Sequence, residues 1–126
     1  MAENNKLEGK NYALGKFGED VIANFLDQRG VYILERNWRI KEGEIDIVAL
    51  YPNGTVAFVE VKTRSSLAFG QPLESITPAK AARLQRLSLS WRACHSRRWS
   101  NFQIDCAGVL MQKDGSHIIE YRANVL

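Results

Sequence analysis

The chain has 126 residues, 45% of them hydrophobic and 25% charged, with a formal net charge of +3. That length suits one domain with a real core and is too short for two. The polar N-terminus lacks an apolar run of secretory type, and no stretch approaches the ~18 apolar residues that a membrane span needs, so a cytoplasmic protein with no membrane contact is expected. Cys94 and Cys106 are the only cysteines. Neither sits in a zinc-type cluster, and reduced thiols are the plain reading, with a disulfide left open should the two meet in space.

Residues 1–10 read as a flexible N-terminal arm. From Asn11 to Arg29 the apolar residues Leu14, Phe17, Val21, Ile22, Phe25 and Leu26 recur at three- and four-residue steps, the pattern of an amphipathic helix that Gly30 is placed to end. Val31–Arg36 reads as a short strand and Asn37–Gly43 as a polar turn. Glu44–Leu50 alternates and then turns apolar, a half-buried strand. Thr55–Arg64 is the next strand, rich in Val56, Phe58, Val59 and Val61. After a loop over 65–76, Thr77-Pro78 supplies an N-cap hydroxyl and a proline at the first helical position. That helix runs to about His95 and carries Leu84, Leu87, Trp91 and Cys94 at helical spacing. Phe102–Met111 and Ile118–Arg122 are strands on either side of a Lys113-Asp114-Gly115 turn. The order is α-β-β-β-α-β-β, an α/β domain with one central sheet.

The second and third strands carry the chemistry. Tyr51-Pro52-Asn53-Gly54 separates them. A three-residue loop, with proline presetting the first turn position and glycine taking positive φ, makes Tyr51 face Thr55. Facing residues then sum to 106: Asp46 faces Glu60 and Glu44 faces Lys62, all four on one side. A two-residue Asn53-Gly54 turn would give an odd sum and separate the two sets. Carboxylates opposed across a strand pair repel, and a hard divalent cation such as Mg²⁺ resolves the repulsion by taking oxygen from Asp46, Glu60 and water. Lys62 would then orient or deprotonate an attacking water, a set suited to phosphodiester hydrolysis. The bland reading is a row of solvated charges on an open sheet face. It is weakened by Glu60, a carboxylate embedded in the apolar run Val56–Val61.

These residues resemble the PD-(D/E)xK nuclease superfamily, with Asp46 as the metal aspartate and Glu60-Val61-Lys62 as Glu-x-Lys. Ile45 stands where that superfamily often has proline. The wider pattern is Gly15-x-x-Gly18-Glu19, Ile33–Arg39, Gly43–Val48, Phe58–Arg64, Phe69-Gly70 and Lys80. It resembles the YraN-like family of predicted bacterial endonucleases over about residues 11–110. The resemblance implies a restriction-endonuclease-like fold, a central mixed β-sheet flanked by helices, as one nuclease-like domain over 11–126. It also implies likeness to Holliday junction resolvases, in which a glutamate of the first helix, here Glu19, joins Asp46 and Glu60 at the metal. Glu44 is an extra acid of uncertain role.

Six basic residues, Lys80, Arg83, Arg86, Arg92, Arg97 and Arg98, fall within 19 residues that contain no acid. Lys80 and Arg83, with Thr63, Arg64 and Arg39, are candidates to contact a nucleic-acid backbone; a solvated helix surface is the plainer account of some. Trp91 lies on the apolar helix face and reads as core, whereas Trp38, set between Asn37 and Arg39 in an expected loop, is the better candidate for stacking on a base.

The leading expectation is a Mg²⁺- or Mn²⁺-dependent endonuclease acting on nucleic acid, with structured or branched DNA as the substrate by analogy. Catalysis would rest on Asp46, Glu60, Lys62 and Glu19. Two alternatives stand beside it: a non-catalytic nucleic-acid-binding module that keeps the fold, and a purely structural salt-bridge network. Junction-cutting enzymes of this fold act as dimers, so a homodimer is an open expectation, although no apolar face in the sequence demands one.

Overall fold

The computed structural model describes residues 2–66, 70–95 and 99–126, with side chains described from residue 12 onward. Phe69, Arg97 and Arg98 lie outside the described residues. Helix α1 (Ala2–Gln28) leads into strands β1 (Tyr32–Ile40), β2 (Gly43–Leu50) and β3 (Val56–Arg64), a short 3₁₀ turn (Pro72–Ser75), helix α2 (Pro78–Cys94), and strands β4 (Phe102–Met111) and β5 (His117–Arg122). The expected order is therefore observed. The strands form one five-stranded sheet in sequential order. β3 and β4 run parallel and the other neighbours antiparallel. Helix α2 is the crossover that a parallel neighbour requires.

The ends of the elements follow from named residues. Helix α1 closes in a Schellman arrangement: Val31 N–H donates to Leu26 C=O and Gly30 N–H to Asp27 C=O, each at 3.0 Å, with Gly30 at φ +78°. Helix α2 opens as expected, the Thr77 hydroxyl accepting from Lys80 N–H at 3.2 Å and Pro78 in the first turn. The β2–β3 loop is the three-residue one. Gly54 N–H donates to Tyr51 C=O and Tyr51 N–H to Thr55 C=O, both at 2.9 Å. The ladder from Leu50↔Val56 to Ile47↔Val59 sums to 106 throughout.

Two helical and strand boundaries differ from the sequence reading. Helix α1 begins at Ala2 rather than Asn11; the added residues are mostly good helix formers such as Ala, Glu, Lys and Leu, which lack the apolar periodicity that marks the rest. Strand β1 continues to Ile40, leaving only Lys41 and Glu42 between Ile40 and its partner Gly43. Trp38 is thus a strand residue. It packs with Ile40 against the α2 core and meets His95 edge-on at 6.3 Å, so it is a core wall and not a free stacking platform.

The two helices cover opposite faces of the sheet. Ile22 and Leu26 of α1 close on Ile47, Ala49, Ala57, Val59, Ala107 and Val109. Leu84, Leu87 and Trp91 of α2 close on Val48, Val56, Phe58 and Ile104. Burying side chains of this size is worth about 1.5–3 kcal/mol each. Trp91, as expected, is core; its indole N–H donates to Glu35 Oε1 at 3.1 Å, which satisfies the one polar atom that its burial strands.

One buried polar knot lay outside the sequence reading. Asp105 on β4 is fully buried and accepts from Tyr51 OH at 2.7 Å, Tyr121 OH at 2.5 Å, Gln103 Nε2 at 2.8 Å and Asn124 N–H at 2.8 Å. Four donors offset the cost of burying the carboxylate and tie the end of β2, strands β4 and β5, and the C-terminal segment together. Burial and the neighbouring carboxylate push the Tyr51 hydroxyl up to about 12. Both cysteines are unbridged, Cys94 exposed and Cys106 buried. Among the described residues no helix is long and apolar enough to cross a membrane.

Candidate metal centre

The site forms where β2 and β3 part. Their ladder ends at Ile47↔Val59, one pair short of the expected Asp46–Glu60 opposition. Alternation in β2 breaks at the same point. Ile45 and Val48 pack into the same α2-side cluster, although three residues apart in a regular strand they would face opposite ways. Across the other edge, Asn37 adopts φ +53°, and the β1–β2 register omits the Asn37–Asp46 pair. Asp46 therefore leaves the ladder, and its Oδ2 accepts Val61 N–H at 2.8 Å. A side-chain oxygen replaces the missing backbone acceptor.

Helix α1 brings Glu19 to this gap. One carboxylate oxygen from each of Glu19, Glu44 and Asp46 lies within 4.8 Å of the others. The approach depends on Gly18, where a Cβ would stand 1.7 Å from Thr63 Oγ1 on β3. Glu60 stands beside this trio, close enough for the Asp46 charge to raise its pKa, but it is not one of the three. It faces Arg83 of α2 at 3.9 Å. Glu44, of uncertain role in the sequence, is drawn into the cluster and also held by Arg39, whose Nε donates to it at 3.0 Å.

The electrostatics are those of crowded acids whose burial outweighs the cations around them. Burial pushes Glu19 up to about 7, and the Asp46 and Glu44 charges add to it; Arg36 and a side-chain hydrogen bond from Asn37 act the other way. Burial pushes Asp46 up to about 6, opposed first by the Val61 N–H. Burial and then Asp46 push Glu60 up to about 7, against Arg83, Lys80 and Lys62. Three carboxylates with hard oxygen donors lie together, a group that could hold a divalent metal ion, with Glu60 beside them.

The remaining candidates distribute unevenly. Lys62, Thr63 and Arg64 line a hollow of about 460 Å³ that Glu19 also borders, so these three stand beside the acids. Arg83 and Lys80 turn toward Glu60, with Lys80 Nζ also donating to Ser75 C=O at 3.0 Å. Arg39 is engaged with Glu44 at the mouth of a second hollow. Asn37 was missed. Its signal was slight: an asparagine inside a strand, one of the few residues that tolerate positive φ.

A family model described as "Uncharacterised protein family UPF0102" matches residues 18–122. The chain belongs to UPF0102. This is the family that the YraN-like motifs resemble. A UPF0102 protein of Beutenbergia cavernae is 44% identical over 113 residues, covering 90% of this chain and 95% of that one. UPF0102 proteins of Clavibacter michiganensis subsp. michiganensis and Leifsonia xyli subsp. xyli are 46% and 48% identical, covering 85% and 80% of this chain and 90% and 85% of theirs. Among solved structures, Pyrococcus furiosus SfsA in complex with Ca²⁺ is similar at a TM-score of 0.32 and 18% identity, over 94% of this chain and 63% of that one. The match to UPF0102 begins at Gly18 and so takes in Glu19, Glu44, Asp46, Glu60 and Lys62 together.

Proposed function

We propose that the protein is a Mg²⁺- or Mn²⁺-dependent endonuclease that hydrolyses phosphodiester bonds, with structured or branched DNA as its substrate. The observation that carries this reading is the convergence of Glu19, Glu44 and Asp46, with Glu60 and Lys62 beside them, where β2 and β3 diverge. A structural salt-bridge network alone would hold these acids at ordinary or lowered pKa values; burial and mutual repulsion instead raise Glu19, Asp46 and Glu60, although Arg83 faces Glu60 and Arg39 holds Glu44.

In this reading Asp46, Glu19 and Glu60 hold the metal, which when bound would polarise the scissile phosphate and lower the pKa of a coordinated water. Lys62, beside Glu19 in one hollow, would orient that water or offset charge developing on the phosphate. Lys80, Arg83, Arg64 and Arg39 are the cations near the acids that would position a phosphate backbone, whereas the Thr63 hydroxyl is buried against Gly18. A cytoplasmic location fits a nucleic-acid substrate, and a homodimer would present two such sites to a branched one.

The test is a cleavage panel over linear duplex, single strand, flap, four-way junction and RNA with Mg²⁺ and Mn²⁺. Wild type, Asp46→Ala and Lys62→Ala are compared. Metal-dependent cleavage that both substitutions abolish is expected. Cleavage surviving both would assign it to a contaminant, and binding without any cleavage would favour a non-catalytic module.

A further inference from the structure

Helix α1 holds a glycine that its packing does not require. Gly15 lies four residues before Glu19 and seven before Ile22, on the helix side that faces the sheet. Its backbone is helical and not of positive φ. A Cβ built there meets no atom within 4 Å. Gly18 is the opposite case, since its Cβ would strike Thr63. Glycine in a helix interior is less stable than alanine, so Gly15 lowers helix stability with no close contact among the described residues to account for it.

Among the described residues, two hollows open in front of Gly15. A hollow of about 460 Å³ lies toward Lys62, Thr63 and Ser65, and another of about 340 Å³ toward Lys16, Asn37 and Arg39. Gly15 and Glu19 border both. Lys62, Arg64 and Ser65 line the first hollow and Lys16, Asn37 and Arg39 the second; Glu19 stands between them, with Glu44 on the second. A phosphodiester backbone matches that order, with phosphates on the donors to either side and one phosphate at the acids. Lys16 and Arg39 are each paired with an acid, Asp20 and Glu44, but exposed pairs of this kind exchange partners at little cost.

We infer that one strand of a polynucleotide crosses α1 at Gly15, running from the Lys62–Thr63 hollow to the Lys16–Arg39 hollow, and that Gly15 lacks a side chain to keep this path open. The inference rests on the nuclease reading and adds the route of the substrate.

The experiment uses the full chain with Asp46→Asn as background to prevent cleavage. Binding of fluorescent single-stranded and duplex oligonucleotides of DNA and RNA is measured for Gly15, Gly15→Ala, Gly15→Leu and Gly15→Gln. Mn²⁺ affinity is measured for the same Gly15 variants in the otherwise wild-type chain, and melting temperature in both backgrounds. Gly15→Ala should melt a few degrees higher. Gly15→Leu and Gly15→Gln should weaken oligonucleotide binding at least tenfold while Mn²⁺ affinity stays within twofold; two different side chains guard against one that fails to fold. Unchanged oligonucleotide binding in the bulky variants that remain folded overturns the route and leaves the nuclease reading standing. A lower melting temperature for Gly15→Ala also overturns it, because the glycine would then have a packing reason. No oligonucleotide binding by the Gly15 protein, alone or in the wild-type background, overturns both.

Discussion

Asp46 Oδ2 accepts the Val61 backbone N–H at 2.8 Å, so the carboxylate that leaves the β2–β3 ladder still closes it. Asp46 therefore has two duties: Oδ2 holds a strand, and a carboxylate oxygen joins Glu19 and Glu44 in the acid cluster. Asp46→Asn keeps an acceptor for Val61 and removes the charge, whereas Asp46→Ala strands a backbone donor. In metal-free buffer at pH 7, Asp46→Asn should raise the melting temperature, by an amount corresponding to up to about 3 kcal/mol given ~1.4 kcal/mol per pKa unit and a rise from 3.8 to about 6. Asp46→Ala should fall below Asp46→Asn by about 1–2 kcal/mol, the usual cost of an unsatisfied buried donor. Both should weaken Mn²⁺ binding at least tenfold. Thermal melts with and without EDTA, and metal titration, check the ordering; equal stability of the two variants would remove the dual role.

The raised carboxylates give stability a definite pH sign. Glu19 and Glu60 stand near 7 and Asp46 near 6 in the fold, against ordinary values of 4.5 and 3.8. Below about pH 3 these groups are protonated in both states and cost nothing. As pH rises from about 4 to 7, the unfolded chain releases protons that the folded chain retains, so their contribution to stability declines. Above 7 the full repulsion is present. Without metal, the melting temperature should drop between pH 5 and pH 8, and Glu19→Gln with Glu60→Gln should flatten that drop. Mn²⁺ binds the ionised acids, so the stabilisation that it adds should be larger at pH 8 than at pH 5.5. A metal-induced shift independent of pH would place the cation elsewhere.

How much of this could be read from the sequence depended on whether local chemistry decided it. Pro52, Asn53 and Gly54 fix a turn by their own backbone preferences, so the 106 register was available before any fold was known. The break beyond Ile47 was not. It depends on Asn37 at positive φ in a neighbouring strand, on Ile45 turning into the α2 core and on α1 delivering Glu19 into the gap. None of these is adjacent in sequence. The same limit explains Glu44, whose place in the cluster comes from that lost alternation. Trp38 was misjudged because Arg36 and Arg39 interrupt the apolar pattern of β1, which hides a strand that packs through Leu34, Trp38 and Ile40. Asp105 shows no motif, since its donors come from β2, β4, β5 and the C-terminal segment.

Asp105 also separates structure from site. Its four donors all point at one carboxylate, so Asp105→Asn would turn an amide N–H toward a hydroxyl or N–H that needs an acceptor. Removing one partner of a buried charged network costs about 3–5 kcal/mol. Tyr121→Phe removes a single charge-assisted bond, worth about 1.5–3 kcal/mol. Urea unfolding should show both losses. Mn²⁺ affinity of the folded protein should be unchanged, because the knot contains none of the clustered acids. A tenfold loss of metal affinity in Tyr121→Phe would mean that the knot sets the geometry of β3 at Glu60.

Gly18 makes the coupling between packing and site most open to measurement. A methyl group there would lie 1.7 Å from Thr63 Oγ1 and 3.0 Å from Thr63 Cβ, so either Thr63 rotates or α1 lifts from β3. Rotation can move Oγ1 away but leaves Thr63 Cβ at 3.0 Å, tighter than ordinary carbon contact, so the helix must still shift. Gly18→Ala should therefore destabilise by about 1–3 kcal/mol, the usual cost of overpacking, despite alanine being the better helix former. Lifting α1 also withdraws Glu19, so Mn²⁺ affinity should fall with stability. Thr63→Ala in the same chain removes Oγ1 and Cγ2 and should recover much of both. The double-mutant cycle reads the coupling directly: recovery of stability without recovery of metal affinity would show that Thr63, and not the helix position, supports the metal centre.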